Sequence, residues 1–322
     1  MPMIDMPLKE LRNYKGINPR PLDFDEYWAA AINEMNQVDP KVEITESKEF
    51  SFPNIKCMDM YFDGTRNGRV HVKLLIPNNI DGKAPAVLNF HGYGANTGDW
   101  SDYISMAALG YVVAAMDCRG QGGKSTDKNI VDGNTLSGQI IRGLDDPDPH
   151  NLYFRQIFLD TALLAKLIMN MDFVDETRVA ARGGSQGGAL TIACASLVPD
   201  IKIAVPQYPF LSDYKRVWEM DLAERAYADL KIYFRNFDPR HERENEMFTK
   251  LGYIDLHHLA PRIKARIHFF TGLMDTTCPP STQFAIYNNI TADKSMEIYP
   301  DFGHENFPDA MDKTLMMFQK ML

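Results

Sequence analysis

The chain has 322 residues and a formal net charge of −9, a balance that gains nothing from a phosphate backbone and argues against nucleic acid as a partner. Apolar residues make up 45% and charged residues 24%, enough for a sizeable core, yet no run approaches the roughly 18 apolar residues of a membrane helix, so no membrane partner is expected. The four cysteines (Cys57, Cys118, Cys194, Cys278) form no CxxC pair and fit no zinc spacing, and reduced thiols in a chain of this length imply a cytoplasmic location.

The first residues, MPMIDMPLKELRNYKG, contain no apolar signal-peptide core, and residues 1–22 read as a polar arm on the surface. Asp23 is placed to cap a helix running to about Gln37, with Phe24, Tyr27, Trp28, Ile32 and Met35 on one face. Residues 1–40 together form an N-terminal extension. Strand-like runs follow at Lys41–Ser51, Ile55–Phe62 and Arg69–Ile76, separated by turn residues such as Asp63-Gly64 and Asn67-Gly68.

From there strands and helices alternate. The pattern predicts strands at Val87–Phe90, Tyr111–Met116, Arg178–Ala181, Ile201–Val205, His268–Thr271 and Met296–Tyr299. It predicts helices at Ser101–Leu109, Tyr153–Met171, Gln186–Leu197, Pro279–Asn288 and Phe307–Met321. Short apolar strands with helices between them give an α/β fold, a mostly parallel central sheet flanked by helices. Two stretches interrupt it: a Gly-, Asp- and Pro-rich loop at 127–151, and a charged helical insertion at 212–253 that reads as a lid or an oligomer contact. The whole chain, 1–322, is expected to be a single α/β-hydrolase domain.

The motif that carries chemistry is Gly183-Gly184-Ser185-Gln186-Gly187, a G-x-S-x-G pattern between a predicted strand and a predicted helix. In a nucleophile elbow the serine sits on a strained turn, and flanking glycines remove side chains that would collide. Chance would place this pattern roughly 0.05 times in such a chain. The acid and base should follow in the order Ser, Asp, His. Asp275 lies just past the strand ending at Gly272, and His304 just past the next strand, where such folds place functional groups. Asp301 is the alternative acid. His71, His91, His150, His241, His257, His258 and His268 are the alternative histidines. The segment Phe90-His91-Gly92-Tyr93-Gly94 sits where esterases keep an oxyanion loop, so the donors are expected to be the N–H groups of Tyr93 and Gln186. Trp100, Phe210 and Leu211 are candidates for the pocket wall.

The segments HGYGANTGDW, DCRGQGG, RGGSQGG, GLMDTTCPPST and YPDFGHE resemble, over nearly the whole chain, the acetyl xylan esterase and cephalosporin-C deacetylase family of carbohydrate esterases. The resemblance implies a serine esterase that removes acetyl groups from small acetylated sugars, chiefly xylo-oligosaccharides, and from cephalosporin C. It implies Ser185, Asp275 and His304 as the triad and Tyr93 and Gln186 as oxyanion donors. It also implies a cytoplasmic homo-hexamer with active sites facing an internal cavity. No metal or organic cofactor is needed for this chemistry. Arg119-Gly120-Gln121 reads as structural, and Glu305 as either a helix start or a partner of the histidine loop. A peptidase or aminoacyl hydrolase on the same fold is the alternative function.

Overall fold

The computed structural model describes residues 4–136 and 138–321; residues 1–3 of the N-terminal extension, Ser137 of the long loop and Leu322 lie outside the described residues. Ten strands form one sheet: β1 (Glu43–Glu46), β2 (Ile55–Asp63), β3 (Gly68–Pro77), β4 (Ala84–Phe90), β5 (Val112–Met116), β6 (Thr126–Asp127), β7 (Val174–Gly184), β8 (Ile203–Gln207), β9 (Arg266–Gly272) and β10 (Lys294–Tyr299). Their order is β1-β2-β3-β5-β4-β7-β8-β9-β10, with β6 paired to β3. From β5 to β10 every pairing is parallel, while β1, β2 and β3 are antiparallel.

Strand side chains alternate in direction, and here both faces are covered. Ala86, Leu88 and Phe90 of β4 enter one core layer with helix Tyr153–Met169 and helix Gln186–Leu197. Val87 enters the opposite layer with Trp100, Met106, Phe307 and Phe318. Helix Gln186–Leu197 is buried on all sides, which its small residues QGGALTIACASL permit. The family of neighbours is set at β4, because the chain leaves it for β5 on one side while β7 lies on the other. The loops leaving the carboxyl ends of β4 and β7 therefore diverge and open a crevice.

Several elements differ from the sequence expectation. The first strand shrinks to Glu43–Glu46, an exposed edge, and the strand expected at Arg178–Ala181 extends over Val174–Gly184. Trp100–Tyr103 is a 3-10 turn leading into a helix at Ile104–Ala108. Asp23 does not cap helix Phe24–Asn36; its carboxylate accepts a hydrogen bond from Tyr253 Oη at 2.6 Å instead. The arm is tied down rather than merely laid on the surface. Tyr14 Oη donates to Asp213 Oδ2, and the N–H groups of Ile17 and Asn18 donate to Asp213 Oδ1.

The insertion folds into helices Tyr214–Glu219, Ala228–Phe237 and Glu244–Leu251. Its inner aromatic, Tyr227, packs edge-on against Phe210 at 4.5 Å. The 127–151 loop buries Ile140, Ile141 and Leu144 in the core and is fastened to the insertion through Asp145, which pairs with Arg243 and accepts from Tyr233 Oη. Lys250 adds a bond to the Asp146 carbonyl.

Candidate active site

Ser185 sits between the last residue of β7 and the first of helix Gln186–Leu197, with φ 58° and ψ −120°. A positive φ is costly for a residue with a Cβ, so the surroundings must hold it there. The Ser185 N–H donates to Gln207 O at 3.0 Å, and its carbonyl accepts from Ala189 N at 2.9 Å and Phe210 N at 3.1 Å. The glycines of the motif answer to close approach: a Cβ on Gly187 would lie 2.1 Å from the Phe90 carbonyl, and one on Gly183 would lie 2.5 Å from Gly187.

The turn presents Ser185 Oγ 2.9 Å from His304 Nε2, and His304 Nδ1 lies 2.8 Å from Asp275 Oδ2. The three come from the ends of β7, β9 and β10, so rigid strands fix their spacing. Asp275 is fully buried. Its Oδ1 accepts N–H bonds from Thr277 and Cys278, both at 2.8 Å, and Gln283 Nε2 stands 3.3 Å from Oδ2. A buried carboxylate needs such donors. The loop bearing His304 is shaped by Glu305, whose Oε1 accepts from Gly303 N at 2.9 Å, and the imidazole packs against Tyr208 with ring centres 4.7 Å apart. Asp301 is exposed and makes no bond to His304. The other histidines are engaged elsewhere: His71 between Asp59 and Asp117, His150 with Asp148, His257 with Asp255, His268 with Ser295.

Asp275, Cys278 and His304 gather their donor atoms within 4.8 Å, a spacing that could hold a metal. The donor chemistry argues otherwise. Burial, reinforced by Asp275, pushes the Cys278 thiol well above its ordinary pKa, away from the thiolate a metal would require, and both imidazole nitrogens already face Asp275 and Ser185.

The expected oxyanion donors are Tyr93, on the loop after β4, and Gln186, the residue after Ser185. Neither Tyr93 N–H nor Gln186 N–H has an acceptor among the described residues. His91 fixes the first of these loops. Cys118 N–H donates to its Nε2 at 2.9 Å and its Nδ1 lies 2.7 Å from the Gly92 carbonyl, so Nδ1 carries the hydrogen. Burial holds the His91 pKa below its usual value, in keeping with that neutral ring. Gln121, in the Arg119-Gly120-Gln121 segment, joins the two loops. Its Oε1 accepts from Gly94 N at 3.0 Å, and its Nε2 donates to Gln186 Oε1 at 2.8 Å. Arg119 is fully buried behind it, paired with Asp160 and donating to the Thr65 carbonyl.

The pocket candidates divide. Phe210 is brought to the site by its N–H bond to Ser185 O, and its ring lies 5.5 Å from that of Tyr93; Leu211 follows it with φ 63°. Burial raises the Tyr93 phenol to about 12, and its Oη accepts from Gln139 N–H, which fastens the 127–151 loop to Tyr93. Trp100 is not brought to this wall. It stacks parallel to Phe50 at 6.4 Å in the opposite core layer, with Lys73 over its ring. Sequence reasoning missed Gln283, Tyr208 and Gln139. Only the Asp275-x-Thr277 spacing, an Asx-turn pattern, offered a signal for the carboxylate's own donors.

A sequence model of the family described as acetyl xylan esterase matches residues 1–322. The crystal structure of acetyl xylan esterase 1 from Thermoanaerobacterium sp. JW/SL YS485 is similar to this chain with a TM-score of 0.97 and 54% identity, covering 99% of each chain. The acetyl xylan esterase from Paenibacillus sp. R4 gives a TM-score of 0.93 at 33% identity, covering 98% of this chain and all of that one. Acetyl esterase Axe7A of Xylanibacter ruminicola is 27% identical over 295 residues, which are 90% of this chain. The match spans 65% of that relative's length.

Proposed function

From its membership of the acetyl xylan esterase family, an α/β-hydrolase lineage, we propose that the chain is a carboxylic ester hydrolase removing acetyl groups from small acetylated carbohydrates, xylo-oligosaccharides above all, and from cephalosporin C. The observation that carries the reading is the unbroken line from Ser185 Oγ through His304 to buried Asp275.

In the proposed reaction His304 Nε2 takes the Ser185 proton as Oγ attacks the acetyl carbonyl. The Tyr93 and Gln186 N–H groups hold the tetrahedral oxyanion. His304 then returns the proton to the departing sugar oxygen. Water, activated by the same nitrogen, releases acetate from the acyl-enzyme. Asp275 orients Nδ1 and offsets the imidazolium charge. Phe210 and the Tyr93 ring close the acyl side, which favours a short acyl group.

The test is twofold. A fluorophosphonate should label Ser185 and spare the Ser185→Ala protein. Acetate release should then be measured over acetylated xylo-oligosaccharides, cephalosporin C and aminoacyl-p-nitroanilides at matched concentration. Cleavage of the anilides in preference to the acetyl esters would replace the esterase reading by a peptidase.

A further inference from the structure

A second cavity of about 540 Å3 adjoins the site and takes no part in the chemistry above. It lies on the Trp100 face of the sheet, walled by Gly183 and Gly184 of the elbow and by Asn306 and Phe307 of the histidine loop. Arg182, the last β7 residue before those glycines, lines it. Strand alternation explains the direction, since Ala180, two residues earlier, belongs to the same core layer.

Arg182 is partly buried, yet its guanidinium has no carboxylate within ion-pair distance and no hydrogen bond among the described residues. The two fully buried arginines are paired: Arg119 with Asp160, and Arg155 with Glu34. Burial presses the Arg182 pKa down, and the phenols of Tyr103 and Tyr208 only oppose this. The same cavity gathers the Gln207 amide and Ser105 hydroxyl, neither bonded among the described residues, and Asn306, whose Oδ1 accepts a long 3.4 Å bond from Tyr208. Its one acidic group, Asp102, is exposed and turned to the Asp99 N–H. The guanidinium nitrogens open onto the cavity instead of onto a protein acceptor, and their planar fork matches a carboxylate.

We propose that the Arg182 cavity is a binding site for a small carboxylate, with Arg182 as its anchor and the Asn306 and Gln207 amides as auxiliary donors. Acetate is the carboxylate made one wall away; that identification rests on the esterase reading, while the anion site itself does not.

The test uses full-length Ser185→Ala protein, which cannot turn over, titrated calorimetrically at constant ionic strength. Acetate should bind, and its neutral isostere acetamide should not. Arg182→Gln should weaken acetate at least about tenfold, and Arg182→Lys should restore most of the loss. Ser105 is exposed at the mouth, so Ser105→Trp should fold, block the cavity and weaken acetate as well; it decides the matter if Arg182→Gln does not fold. Acetate affinity unchanged by either substitution would overturn the proposal, as would xylose binding that depends on Arg182 in acetate's place. Turnover of p-nitrophenyl acetate by the wild-type protein is read separately. Absent turnover with intact Arg182-dependent acetate binding would remove the esterase reading and leave the anion site standing.

Discussion

Replacing Asp275 by asparagine should leave the fold standing and disable the histidine. Asp275 Oδ1 accepts two N–H bonds at 2.8 Å, from Thr277 and Cys278, so the asparagine carbonyl must take that place. The amide NH2 then occupies the Oδ2 position, facing His304 Nδ1. Two donors cannot face each other, so the imidazole moves its hydrogen to Nε2, the atom 2.9 Å from Ser185 Oγ. A protonated Nε2 cannot accept the serine proton. Gln283 gives no relief, because turning its amide to suit the new donor would set its oxygen against the Cys278 carbonyl, which its Nε2 now meets at 2.6 Å. Inverting the tautomer in a Ser-His-Asp hydrolase costs about 10⁴ in kcat, or about 5 kcal/mol of barrier. The assay is p-nitrophenyl acetate hydrolysis beside the rate of fluorophosphonate labelling, with circular dichroism to verify the fold; both rates should fall together. Asp275→Asn within tenfold of wild type, with Asp301→Asn crippled, would refute the reasoning.

Gln121→Leu severs the bridge between the loops that carry the proposed oxyanion donors and should lower kcat for p-nitrophenyl acetate by about 10- to 100-fold at little cost in melting temperature. Acetyl should be preferred to butyryl p-nitrophenyl ester in kcat/KM, because each methylene forced against Phe210 and Tyr93 costs about 1–3 kcal/mol; a preference for octanoate would indicate an open, lipase-like wall. Bonding to His71 and to the N–H groups of Lys124 and Thr97 overcomes the burial of Asp117 and holds its carboxyl at about 2, below the unfolded value of 3.8. That stabilisation, about 2 kcal/mol, is complete above pH 4 and lost as pH falls toward 2, so denaturant titrations should show acid destabilisation that Asp117→Asn flattens. We propose a hexamer of the 36.6 kDa chain that deacetylates oligosaccharides faster than polymer of equal acetyl content; a monomer acting equally on both, by light scattering and acetate release, would sink that proposal.

What could be read in the sequence was what local pattern controls. The alternation of apolar strands and helices predicted the parallel half of the sheet because its inner strands β4, β5, β8 and β9 are buried on both faces. The elbow and the two strand-end loops predicted the meeting of Ser185, Asp275 and His304, since strand ends converge wherever the sheet is parallel. What failed depended on distant partners. The Asp23 carboxylate is taken by Tyr253, 230 residues away, and no cap pattern reveals that competitor. The Gln121–Gln186 pairing spans 65 residues and leaves no periodic trace. Trp100 was a candidate for the pocket wall, yet it stacks on Phe50, 50 residues earlier, in the opposite layer, and local pattern does not reveal that partner.

The nucleophile and its covering are fastened by different kinds of bond. Ser185 is gripped through backbone groups of Gln207, Ala189 and Phe210, which any amino acid other than proline at those positions could furnish. The insertion and the 127–151 loop are joined by side chains, Arg243 and Tyr233 to Asp145 and Lys250 to the Asp146 carbonyl, and Arg225 ties the insertion to Thr277 beside Asp275. Substitutions should therefore act unequally on the two. Replacing one of those side chains removes a bond between the two segments, whereas most replacements at Gln207, Ala189 or Phe210 leave the hold on Ser185 in place.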